Sequence, residues 1–202
     1  MAIEIVYTDT QFIQILEHIA SDLPTGYNNI PYYNCGYYTG TEWTWDCWNL
    51  IKTIIWGWNE DTTVGSYTYN PGLHGLYDVN GYQLLNQCTY VSTDFSSLTP
   101  AEYLYYSGTI DHAGIYIGNR TINGHIVNVV EATPIWSGGV QYSYIDSAGV
   151  RYQYLGATPS ITWTAHGRLP WIDYTGQPPT PTPTTSRDGL PIWMLIKYLK
   201  RF

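Results

Sequence analysis

Charge is scarce in this chain: 8 Lys+Arg and 16 Asp+Glu make up only 12% of 202 residues and leave a formal net charge of −8. Without a Lys/Arg stripe in the first 185 residues, a nucleic-acid partner is not expected, because neutralising phosphates supplies most of that affinity. No apolar run reaches 18 residues, so no membrane-spanning helix is expected. Cysteine is also sparse. Cys35, Cys47 and Cys88 are odd in number and contain no C-x-x-C pair, which fits reduced thiols better than a disulfide framework and leaves at least one free thiol. The opening Met1-Ala2-Ile3-Glu4-Ile5 lacks the basic and apolar regions of a secretory signal, so the chain is expected to begin in a cytoplasm. Aromatic residues are abundant: 21 Tyr, 9 Trp and 3 Phe supply the large side chains of a core and exclude wholesale disorder.

The first half reads as helices and loops. Phe12, Ile15, Leu16 and Ile19 recur at helical spacing, and the pattern ends at Leu23-Pro24-Thr25-Gly26. Residues 27–44 show no period and read as a loop. From Asp46 to Gly57 the helical pattern returns, with Leu50, Ile51, Ile54 and Ile55 as its apolar stripe. Residues 78–88 suggest a further short helix, and Thr99-Pro100-Ala101-Glu102 has the spacing of a capping box. From Tyr103 onward the runs 103–106, 112–117, 125–132, 140–145, 150–155 and 163–169 read as strands. Helices followed by antiparallel strands predict an α+β domain over residues 1–174, with N-terminal helices packed on a central antiparallel β-sheet. Residues 175–187 are a Pro/Thr-rich linker. Residues 188–202 form an apolar and basic tail whose segment 190–202 suits a membrane interface, or a short helix docked on the domain or on another copy.

Asp46-Cys47 is the most informative dipeptide. Asp46 is a candidate N-cap, which puts Cys47 in the first helical turn, where free N–H groups and the helix dipole favour a thiolate. The plainer alternative is a small apolar residue on a buried helix. Of five histidines, His18 and His74 read as structural or solvated. His112 heads the run His112-Ala113-Gly114-Ile115-Tyr116-Ile117-Gly118, whose alternation separates Ala113, Ile115 and Ile117 from His112, Gly114 and Tyr116. If Gly118 pairs with His125, Glu131 stands beside His112, about 5 Å away at Cβ. A tight Asn123-Gly124 turn would instead set Tyr116 against Glu131; and Glu131 could also be an exposed edge carboxylate.

Thiol, imidazole and carboxylate are the parts of a cysteine hydrolase. Asp46-Cys47-Trp48, then Asp111 to Gly118, then Val129-Val130-Glu131-Ala132, resemble in type and order the papain-like peptidoglycan hydrolases of the NlpC and CHAP (cysteine, histidine-dependent amidohydrolase/peptidase) families, in the form found in bacteriophage endolysins. The resemblance spans roughly residues 30–174 and implies a papain-like fold with bacterial peptidoglycan as substrate. It implies Cys47 as nucleophile, His112 as base then acid, and Glu131 as the third member. It also implies synthesis in the host cytoplasm, followed by action at the cell wall or carriage in the virion. Trp45, Trp48, Tyr37 and Tyr116 are candidate substrate contacts, although so many aromatics also serve as core. No metal or cofactor is expected, since Asn59-Glu60-Asp61 and Asp78-Val79-Asn80-Gly81 are poor calcium loops. The alternatives are a non-enzymatic wall-binding or virion module, and an amide hydrolase acting on a non-wall substrate.

Overall fold

Aromatic and β-branched residues in the first half form strands where the absence of period had suggested a loop. In the structure, a computed structural model describing residues 2–29 and 35–175, β1 (Tyr7–Thr8) leads into α1 (Asp9–Asp22), and Thr8 closes a capping box with Gln11. Then β2 (Thr25–Tyr27), β3 (Cys35–Tyr38) and β4 (Trp43–Trp45) make a three-stranded sheet in the order β2-β4-β3. Trp43, Thr44 and Trp45 are all buried, so alternation is lost and period-2 reading fails.

Two helices follow, α2 (Cys47–Ile55) and the short α3 (Gly81–Leu85), the latter preceding β5 (Thr89–Ser92). Next come β6 (Tyr103–Tyr106), β7 (His112–Ile122), β8 (His125–Thr133) and β9 (Gly139–Ile145). The last strands are β10 (Val150–Tyr152), β11 (Pro159–Thr162), β12 (Ala165–Arg168) and β13 (Ile172–Asp173). One antiparallel sheet takes eight of them in the order β11-β10-β9-β8-β7-β6-β12-β5, while β13 pairs in parallel with β1.

The expected α+β arrangement, N-terminal helices on a papain-like central sheet, is therefore corrected. The described residues are 20% helical and 36% strand, dominated by the eight-stranded sheet, and five strands lie within the N-terminal half that was expected to hold helices and loops. Thr99-Pro100-Ala101-Glu102 does not open a helix either. Ala101 sits at φ +70° and its N–H donates to the Tyr116 carbonyl at 2.7 Å, so this segment is a turn hooked onto β7. Residues 176–187 of the expected linker and the tail 188–202 lie outside the described residues.

The sheet buries both faces. Ala113, Ile115, Ile117, Val130 and Ala132 join the core formed with α1 and α2, in which Leu50, Ile51, Ile54 and Ile55 are fully buried. Each such side chain contributes about 1.5–3 kcal/mol. The other face holds Leu104, Val129, Ile145, Phe95 and Trp163. Beside it, Glu102 is fully buried between His166, whose Nδ1 lies 2.7 Å from the carboxylate, and Arg168 at 3.4 Å. Replacing Glu102 by Gln removes the buried carboxylate that His166 and Arg168 share; the expected cost is about 3–5 kcal/mol, read by urea unfolding. A loss below 1 kcal/mol would show that the cluster is not a structural anchor.

Candidate active site

Asp46 is the N-cap of α2: Oδ1 accepts the Asn49 backbone N–H at 2.8 Å and Oδ2 accepts Asn49 Nδ2 at 2.7 Å. Cys47 is the first helical residue. Its thiol is only 2% exposed. Burial chiefly, then the Asp46 carboxylate, push its pKa up, against the backbone N–H groups of Ala113, Trp48 and Cys47 itself. The sequence predicts a thiolate favoured by the helix dipole; in the resting structure desolvation outweighs the dipole and the thiol stays protonated. Burial also raises Cys35, to about 12, and Cys88. Iodoacetamide at about pH 7 should therefore label Cys47 more slowly than free cysteine, as read by mass spectrometry of the labelled peptides. Faster labelling than free thiol would show that the dipole and a nearby imidazole prevail over burial.

The His112 register follows neither sequence expectation. Asn123 and Gly124, at φ +50° and +79°, form the tight turn and Ile122 pairs with His125. A register shift between Tyr116 and Arg120, where Gly118 takes φ +77°, then brings Tyr116 opposite Val129 and Ile115 opposite Val130. Gly114 consequently stands against Glu131, whose Cβ is 3.4 Å from where a Gly114 side chain would begin. With no side chain there, Glu131 crosses diagonally and hydrogen-bonds His112 Nε2.

Glu131 is fully buried. Arg151 Nε donates to its Oε1 at 2.8 Å and Nη2 lies 2.6 Å from Oε2, while Thr133 Oγ1 takes a second Nη2 contact at 3.3 Å. Burial acts to raise the Glu131 pKa, but Arg151 and then His112 outweigh it and hold the carboxylate at about 2. Trp163 stacks on the imidazole with centroids 5.4 Å apart. With an ionised carboxylate accepting at Nε2, that nitrogen of the neutral imidazole carries the proton and Nδ1 presents its lone pair.

Thus His112 and Glu131 are brought together. Cys47 approaches β7 from the α2 side, its thiol lying under the influence of the Ala113 N–H, one residue past His112. Among the candidate substrate contacts, Trp48 lines a cleft of about 520 Å³ that is bounded by Asp46 and Asn49, on either side of Cys47 in sequence, and by Asp111, next to His112. Trp45 is fully buried, stacked on Trp43 at 6.0 Å. Tyr37 is half-buried on β3, and Tyr116 lies four residues along β7 from His112, packed against the Trp163 side of the sheet.

Sequence reasoning missed Arg151, Trp163 and Tyr27. Arg151 left a signal: in a chain this poor in cations, an arginine between Val150 and Tyr152 in a strand needs a buried partner. Tyr27 left none. β2 pairs with β4, placing Tyr27 opposite Trp45, and its hydroxyl pKa is raised first by burial and then by Cys47 and Asp46. It therefore lies within electrostatic reach of the thiol, with its hydroxyl kept protonated.

No protein-family model, curated protein or solved structure matches this chain.

Proposed function

We propose that this chain is a cysteine-dependent peptidoglycan hydrolase that cuts an amide bond in, or at the base of, the stem peptide. The observation that carries the reading is the His112 imidazole held through Nε2 by the ionised Glu131, which leaves Nδ1 as the basic nitrogen on the residue before Ala113, whose N–H acts on the Cys47 thiol. In this mechanism Nδ1 takes the thiol proton as sulfur attacks the carbonyl carbon. The Cys47 N–H and the Tyr27 hydroxyl meet the developing oxyanion. His112 then passes the proton to the leaving amine, and a thioester remains. Water, deprotonated by His112, cleaves the thioester and restores the thiol. Because the thiol rests protonated, proton transfer accompanies attack instead of preceding it.

The order of the three motifs supports the wall as substrate by its resemblance to NlpC and CHAP enzymes, and a phage lysin or virion-associated lysin as the biological setting. Digestion of purified sacculi, with mass spectrometry of the new amine and carboxyl ends, tests this and names the bond. Release of no muropeptide would remove the wall as substrate, and hydrolysis of another amide by the same trio would then define the enzyme.

One observation favours a second reading. Cys47 is buried on the α2 side of β7, while alternation assigns His112 to the face that carries Trp163. A non-enzymatic wall-binding module with a structural Cys47 accounts for this, and it would bind sacculi while releasing nothing.

A further inference from the structure

The loop that follows α2 leaves aromatic rings and uncommitted amides at the surface. Trp58 donates its backbone N–H to the Thr53 carbonyl at 3.0 Å, and its indole stands at 81° to that of Trp43 and 69° to that of Trp45, with centroids 5.4 and 5.7 Å away. The ring is therefore held in place before any ligand arrives. Half-buried, it forms one wall of an open cavity of about 490 Å³ that Tyr7, Gln11, Gln14 and Asn59 help to line.

A second cavity, of about 340 Å³, adjoins the first through Asn59, which lines both. There Tyr67, 52% exposed, and Tyr69, whose ring meets Trp56 at 5.6 Å, stand with Asp61 and Asn70. Gln14, Asn59 and Asn70 are exposed, so a ligand can reach them, and their side chains hydrogen-bond nothing among the described residues.

The charges at this surface are already engaged. Glu60 meets His18 Nε2 at 3.0 Å, Asp61 accepts the Thr63 N–H at 3.0 Å, and no lysine or arginine among the described residues lines either cavity. An uncharged ligand is the complement. Amide side chains donate and accept at once, as sugar hydroxyls do, and the electron-rich face of an indole or phenol attracts the polarised C–H groups of a pyranose ring. Two adjoining cavities that repeat the pairing of aromatic ring and amide suit consecutive sugars of one chain.

We propose that this surface binds a neutral oligosaccharide, with Trp58 and Tyr67 as stacking platforms and Gln14, Asn59 and Asn70 as hydrogen-bonding partners. It begins at the opposite end of α2 from Cys47, about 12 Å along the helix axis, so it anchors the ligand apart from the bond-breaking groups. The proposal deepens the proposed function and rests on it for the identity of the saccharide, the glycan strand of the wall.

Tri-N-acetylchitotriose, an uncharged chain of pyranose rings, is the probe, and N-acetyl-trialanine amide is the peptide control. In NMR spectra of the full chain the trisaccharide is expected to shift the side-chain amide resonances of Gln14, Asn59 and Asn70, with a dissociation constant of a few millimolar or tighter; the peptide leaves them in place. Gln14→Ala is expected to weaken binding about 3-fold or more, and Tyr67→Ala about 5-fold or more. Both residues are exposed and neither belongs to the core, so both variants should fold. Should one not fold, the resonances of the unsubstituted chain decide. Unmoved amides at about 10 mM trisaccharide, shifts confined to the cleft at Asp46 and Asp111, the same shifts with the peptide, or undiminished affinity in a folded variant would overturn the site. Trisaccharide binding by a chain that releases nothing from sacculi would fell the hydrolase reading alone. Muropeptide release by a chain that does not bind the trisaccharide would fell this inference alone.

Discussion

Cys47→Ala is expected to lower the release of muropeptides from sacculi by on the order of 10⁴-fold or more, and Cys47→Ser to come close to it. The size follows from the role: without sulfur no thioester forms, and a serine hydroxyl, less acidic than the thiol, is poorly activated by the same imidazole. The fold should survive. The N-cap bonds run between Asp46 and Asn49 and do not involve the thiol, and the substitutions remove or exchange one atom beside a core of Leu50, Ile51 and Ile54. Unchanged far-UV circular dichroism together with lost activity is the expected pair of readings. His112→Ala should match it in activity, whereas Glu131→Gln should keep part of the rate because the imidazole remains. Full activity in Cys47→Ala would end the proposed mechanism.

Arg151→Leu is expected to cost about 3–5 kcal/mol of stability at pH 7, since it leaves the fully buried Glu131 carboxylate without its main counter-charge. The pH dependence gives this prediction a signature. In the native chain Glu131 is held at about 2, below the unfolded carboxylate range near ~4.3, so its contribution is complete above that range and is lost as pH falls through about 2. In the variant, burial without Arg151 drives the folded pKa upward, and the carboxyl takes up its proton on folding. The gap between the two chains should therefore narrow between about pH 7 and pH 4, as measured by urea unfolding. An equal gap at both pH values, or one under 1 kcal/mol, would show that Arg151 does not hold the carboxylate.

The site was readable where chemistry is local. Asp46 capping α2, Cys47 in the first turn, and the alternation that sets His112 with Gly114 and apart from Ala113 all depend on residues close in sequence. The partnership of His112 and Glu131 was legible only as a choice between registers, and the structure uses a third, because a bulge at Gly118 follows the Asn123-Gly124 turn. The three-stranded sheet of β2, β3 and β4 was illegible, since strands buried on both sides show no polar-apolar alternation. Its consequence at the site, a Tyr27 hydroxyl within electrostatic reach of the thiol, was hidden with it.

From its residues alone the chain determined a helix starting at an Asp-Cys pair, a histidine at the head of an apolar strand, and the two sides that the strand presents; these are matters of capping and of period two. Tertiary packing decided the rest: which carboxylate meets the imidazole, that Arg151 keeps it charged, and that burial holds the Cys47 thiol protonated against the helix dipole. The reason is one of range. Capping and alternation act over a few bonds, whereas register and desolvation depend on contacts that exist only after distant segments have come together.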